Sequence, residues 1–115
     1  MYLQKGFYGG RRYLKPETIG KFNTRYFSEK KVRRGLGFDK PQLNPKVKAT
    51  CGCVSDESFG HSGFTGTYTW VDPTQDLVYV FLSNRVYPTR NNSKISDANI
   101  RTGINEVIYQ AIKKG

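Results

Sequence analysis

The stretch "GFTGTYTWVDPTQDLVYVFL", residues 63–82, constrains the fold of this chain more than any other. Strict alternation sets Phe64, Gly66, Tyr68 and Trp70 against Thr65, Thr67, Thr69 and Val71, the period of a strand with two unlike faces. "DPTQD" then supplies turn residues, with Pro73 near its start. "LVYVFL" (77–82) is apolar on both faces and predicts an interior strand covered on each side. Together they predict an antiparallel hairpin over about 64–83. Downstream, Ser96 suits a helix N-cap, and Ile100, Ile104, Val107, Ile108, Ala111 and Ile112 recur as one apolar stripe. Lys113 and Lys114 complement that helix's C-terminal dipole.

The first half is less regular. Met1–Lys5 reads as the tail of a helix stopped by Gly6 and then by Gly9-Gly10. Pro16 at a first turn and Glu17 beside it predict a short helix from about Pro16 to Asn23. "SEKKVRR" (28–34) reads as a solvated charge run, and "DKPQLNPK" as a proline-punctuated loop. With 115 residues there is room for one domain. The expected class is α+β: antiparallel strands with the C-terminal helix packed on the sheet. Residues 1–50 form a basic helical and irregular part, and residues 51–115 form the hairpin and last helix.

Charge is placed unevenly. Of 19 Lys and Arg, 13 lie in residues 1–50 with only 3 acidic residues, so the whole net charge of +10 resides there. Such a balance suggests an acidic partner, and one alternative is a nucleic-acid or partner-binding module without catalysis. Arg11, Arg12, Lys30, Lys31, Arg33 and Arg34 would carry it, interleaved with Tyr8, Tyr13 and Tyr26. No RNP-like, KH or zinc-finger spacing accompanies them, so a solvated surface is the preferred reading and no nucleic acid is expected as a partner. No apolar run approaches the ~20 residues of a membrane-spanning helix, and the N-terminus lacks the apolar core of a secretory signal. Two cysteines and one histidine cannot complete a four-ligand zinc site, so no metal is expected. Cys51-Gly52-Cys53 read as small apolar strand or loop residues, because a bridge across one residue fits an extended backbone poorly.

The lone histidine, His61, sits in His61-Ser62-Gly63 just ahead of the hairpin. "FGHSGFTGTYTWVDPTQDLVYVFLSNRVYP", with "YGGRRYLKPETI" and "RRGLGF" upstream, resembles the C-terminal part of a β-lactamase-related serine hydrolase. The branch resembled comprises class C β-lactamases, their esterase relatives and D-aminopeptidase-like penicillin-binding proteins. Enzymes of this kind carry three motifs, in class A S-x-x-K, S-D-N and K-T-G. In the branch resembled, the second is usually Y-x-N and the third can be H-x-G. The resemblance implies that His61-Ser62-Gly63 is the third motif, on a strand bordering the substrate cleft. It implies that His61 supports proton movement and that Ser62 offers a hydroxyl to a substrate carboxylate or carbonyl. Gly63 would let substrate backbone approach, and the Phe64 N–H would supply one of two oxyanion donors.

The nucleophile and its base are not in this chain. Ser28-Glu29-Lys30-Lys31 matches S-x-x-K formally, but it precedes His61 by only 33 residues and lies in a charge run unable to desolvate Lys31. Neither Y-x-N nor S-x-N occurs. The expectation is therefore a C-terminal piece of a longer hydrolase, inactive alone, whose parent attacks a lactam, ester or D-peptide amide through a serine. The resemblance implies no cofactor and an exported bacterial parent. Asn84 and Arg85 are expected to serve turn chemistry rather than the substrate. The missing partner of the "LVYVFL" strand is expected to be the N-terminal part of the same fold, and the open edge invites self-association.

Overall fold

The computed structural model describes residues 1–30, 32–44, 46, 47 and 49–114. The expectations that involve Lys31, and the parts of the proline-punctuated loop at Pro45 and Lys48, lie outside the described residues. Among the described residues, the elements of regular structure are β1 (Phe7–Tyr8), β2 (Arg11–Arg12), α1 (Pro16–Asn23), a 3-10 turn (Ser28–Lys30), β3 (Phe59–Ser62), β4 (Tyr68–Asp72), β5 (Leu77–Phe81), α2 (Lys94–Asp97) and α3 (Ile100–Lys114). The helix expected at Pro16–Asn23 has those bounds, with Pro16 in its first turn.

The expected hairpin is β4–β5, paired antiparallel from Tyr68↔Phe81 to Asp72↔Leu77, but residues 64–67, expected in its first strand, belong to the turn that joins β3 to β4. A third strand, β3, completes the sheet in the order β3-β4-β5. Alternation does its predicted work on β4, where Tyr68 and Trp70 are buried and Thr69 is exposed. Their rings stack 5.6 Å apart, Tyr79 of β5 joins them, and Val54, Phe81 and Ile108 pack around the three. β5 departs from the covered interior strand expected of it. Val78, Val80 and Leu82 are 52, 56 and 80% exposed, and its outer edge has no strand partner among the described residues.

α3 lies on the sheet, but not through its isoleucine stripe. Asn105 and Tyr109 are its buried residues, with Ile108 half-buried, while Ile100, Ile104, Val107 and Ile112 remain exposed. Hydrogen bonding selects this face: the Tyr79 hydroxyl donates to the Arg101 carbonyl, and the Tyr109 hydroxyl donates to Asp72. Ser96 falls inside α2 rather than capping the long helix, and Asn99, at φ 51°, makes the break between the two.

Asp72, wholly buried at the end of β4, anchors three segments. Besides the Tyr109 hydroxyl it accepts the Ser55 N–H at 2.9 Å and the Ser55 hydroxyl at 2.6 Å. The Thr74 N–H and hydroxyl add two more, at 3.0 and 2.8 Å. Burial alone would push this carboxyl up, but the donors from Ser55, Tyr109 and Thr74 outweigh it and hold it at about 2.

Two further expectations are corrected. Met1–Lys5 are not the tail of a helix, since residues 2–6 form a turn, and Gly9 and Gly10, both at positive φ, form the turn of a β1–β2 hairpin. Cys51 and Cys53 are joined by a disulfide. The backbone is not extended there: Gly52 adopts φ 74° and turns the chain, bringing the two Cα atoms to 5.2 Å, inside the range a bridge spans.

Candidate active site

β3 lies close over the core because Gly60 carries no side chain. A Cβ on Gly60 would stand 2.1 Å from the Thr69 carbonyl oxygen and 2.4 Å from the Trp70 ring, so only glycine lets β3 lie this close over the core. On its other edge Gly60 exchanges both backbone hydrogen bonds with Asp39, at 2.8 and 3.0 Å. That pairing stops there, and the next two residues, His61 and Ser62, are exposed. Their inner edge stays in register with β4, His61 opposite Thr69 and Ser62 opposite Tyr68.

His61 Nδ1 lies 2.9 Å from the Ser62 carbonyl. A carbonyl only accepts, so Nδ1 is the donor in this contact. Ser62 borders a small cavity of about 100 Å³ that Arg33, Asp39, Tyr68, Trp70 and Arg101 also line. Asp39 holds two guanidinium groups there, Arg33 Nη2 and Arg34 Nε, each at 2.8 Å. Arg33 also donates to the Lys40 carbonyl, so it is not part of a solvated run as expected from the sequence. Burial, then the neighbouring Tyr79, pushes the Tyr68 phenol up, keeping that wall of the cavity neutral.

Gly63 opens a tight turn: its N–H donates to the Thr67 carbonyl at 2.8 Å, and Gly66 N–H returns to the Gly63 carbonyl at 3.0 Å. A side chain on Gly63 would meet the Thr67 hydroxyl at 2.3 Å, a contact that rotation of the Thr67 side chain can relieve. Phe64 is 63% exposed, and among the described residues its N–H has no hydrogen-bond acceptor. Arg85 fixes the turn from below. Its Nε donates to the Phe64 carbonyl at 2.7 Å, its Nη1 to the carbonyls of Arg90 and Asn92, and its guanidinium covers the Phe64 ring at 4.6 Å. Arg85 thus does turn chemistry, as read from the sequence.

The structure brings His61, Ser62, Gly63 and Phe64 to one open strand end and leaves Ser28 elsewhere. Ser28 is exposed and lines a separate hollow with Arg25, Lys40, Asp56 and Glu57. Lys40 was not singled out by sequence reasoning. It is buried, donates to Asn23 Oδ1 at 2.7 Å, and is held at about 8 chiefly by burial and then by Arg25. No local pattern marks it, since its burial arises from α1 folding over residues distant in sequence. Of the basic-aromatic set, Tyr8, Tyr13 and Tyr26 are exposed, and the Arg11 guanidinium lies 5.4 Å over the Tyr13 ring.

A family model described as Beta-lactamase matches residues 7–102, and the chain belongs to that family. Among curated proteins it is similar to proteins named "Putative D-alanyl-D-alanine carboxypeptidase" from Salmonella gallinarum and Salmonella newport. Identity to each is 32% over 95 residues, covering 82% of this chain. The chain spans only 21% of the length of those relatives. The family assignment and the relatives agree with the serine-hydrolase kinship inferred from the motif. Among the described residues, no helix is long and apolar enough to cross a membrane.

Proposed function

We propose that this chain forms one wall of the acyl-transfer site of a serine hydrolase, with the nucleophilic serine and its lysine supplied by polypeptide outside these 115 residues. In that site His61 Nε2 faces the reacting groups and moves a proton, Ser62 binds a substrate oxygen, and the Phe64 N–H receives the oxyanion. The serine oxygen attacks the carbonyl of a lactam, ester or D-peptide amide. The acyl–heteroatom bond breaks, the leaving group takes a proton, and water then cleaves the acyl-serine. The name borne by the Salmonella relatives favours a peptide-like substrate. The observation that carries the reading is the uncommitted Phe64 N–H beside the open end of β3, where inward pairing to β4 continues and outward pairing has ended.

The test is turnover of a chromogenic lactam and of a D-alanyl-D-alanine peptide. These 115 residues alone should show none, and a longer protein that includes S-x-x-K should lose about 10²-fold or more in kcat/KM on His61→Ala. Turnover by the chain that Ser28→Ala abolishes would overturn the proposal. The exposed edge of β5 is where the remaining strands of the fold would add, and in their absence a second copy would take that place.

A further inference from the structure

The disulfide between Cys51 and Cys53 ties no two elements together, because both ends belong to the loop that leads from Asp39 to β3. A bridge closing so short a loop restrains the unfolded chain far less than one spanning a domain, so stabilisation is a poor reason for its presence. Its setting is that of an accessible sulfur. Cys51 and Cys53 are half-buried, Gly52 between them is exposed, and Cys51 faces a cavity of about 400 Å³. Gln42 and Thr50 form one side of that cavity, and Asn99, Thr102 and Glu106 of the α2–α3 region form the other.

The loop is pinned on both sides of the bridge by other means. Before it, buried Thr50 gives its N–H to Gln42 Oε1 at 3.1 Å and its hydroxyl to the same oxygen at 2.5 Å. After it, Ser55 is held by Asp72 and Val54 packs on the aromatic core. The ring can therefore open without releasing the loop. The two sulfurs also differ. The Cys53 N–H donates to Cys51 Sγ at 3.4 Å, a contact that favours Cys51 as a thiolate once reduced.

We propose that Cys51 and Cys53 form a reversible dithiol–disulfide couple, in which Cys51 exchanges with a dithiol partner through the cavity and Cys53 is the resolving residue. In reduction, a partner thiolate attacks Cys51 Sγ from the cavity. The Cys51–Cys53 bond breaks, and Cys53 leaves as a thiolate that takes a proton from water. The partner's second thiolate attacks its own sulfur in the mixed disulfide, and Cys51 leaves in turn. The protein gains two electrons and two protons, and the partner becomes a disulfide. Oxidation runs the same steps backwards, with the Cys51 thiolate attacking first.

The test uses the native chain, alkylation and intact mass. The bridged protein should take up no alkyl groups as isolated, two after dithiothreitol without denaturant, and none again after oxidised glutathione, with its circular dichroism unchanged throughout. The variants Cys53→Ser and Cys51→Ser should then differ in reaction with an aromatic disulfide reagent, the first being faster by about tenfold because it retains the cysteine that lines the cavity. Labelling of both cysteines before reductant would overturn the proposal, as would a bridge that yields only after denaturation. Loss of the folded spectrum on reduction would make the bridge a structural staple. Equal rates for the two variants would refute the assignment of Cys51 as the exchanging sulfur.

Discussion

Replacing Asp72 by asparagine should test the packing of this chain most severely. The buried carboxylate accepts from five donors supplied by Ser55, Thr74 and Tyr109. An amide keeps one accepting oxygen and offers donors in place of the other, so at least two of the five lose their acceptor. At about 1–3 kcal/mol for each unsatisfied buried group, the change should cost on the order of 3 kcal/mol. The same site sets an acid dependence. Its pKa drops from 3.8 to about 2 on folding, a depressed carboxyl. That stabilisation, on the order of 2 kcal/mol, is present above pH 4 and lost as pH falls through about 2. Urea unfolding followed by the emission of Trp70 measures both. The parent should weaken between pH 4 and pH 2, and Asp72→Asn should begin weaker and lack that part of the decline. An Asp72→Asn variant within about 0.5 kcal/mol of the parent, or a parent whose stability is flat over that window, would refute the account of Asp72 as anchor.

Three further outcomes follow from the same geometry. Gly60→Ala should cost about 2 kcal/mol or more and loosen β3, read as faster amide exchange at His61 and Ser62, because its methyl would overlap Thr69 and Trp70. Lys40 is depressed from 10.5 to about 8, so the unfolded chain binds the extra proton between those values and stability should rise with pH from about 8 to 10. Lys40→Met should abolish that rise in denaturant titrations. Sedimentation of the chain at high concentration should reveal self-association, which Val80→Lys on the open face of β5 should weaken at least about tenfold. A clean monomer would refute association through the open edge.

What could be read from the sequence was what local periodicity and turn chemistry encode. Alternation placed Tyr68, Trp70 and the β4–β5 hairpin, proline at a first turn placed α1, and His61-Ser62-Gly63 emerged together at one strand end. The β1–β2 hairpin escaped because strands of two residues carry no period, although Gly9-Gly10 between short flanks was a usable turn signal. Counting apolar residues on α3 chose the wrong face, since Tyr109 and Asn105 win the interface and Tyr109 does so through its bond to Asp72. The Arg33–Asp39–Arg34 cluster depends on a turn in which Gly35 N–H meets the Phe38 carbonyl at 2.9 Å, and spacing alone does not disclose it. The cysteine bridge was missed for one reason: the backbone at Gly52 is left-handed rather than extended.

The unburied isoleucines of α3 also dictate how this chain must be handled. Ile100, Ile104, Val107 and Ile112 give a fluorogenic hydrophobic dye a surface to light up on while every helix and strand is intact. Dye-based melting curves will therefore start bright and show little rise, and their flatness will report that greasy ridge, not the absence of a folded state.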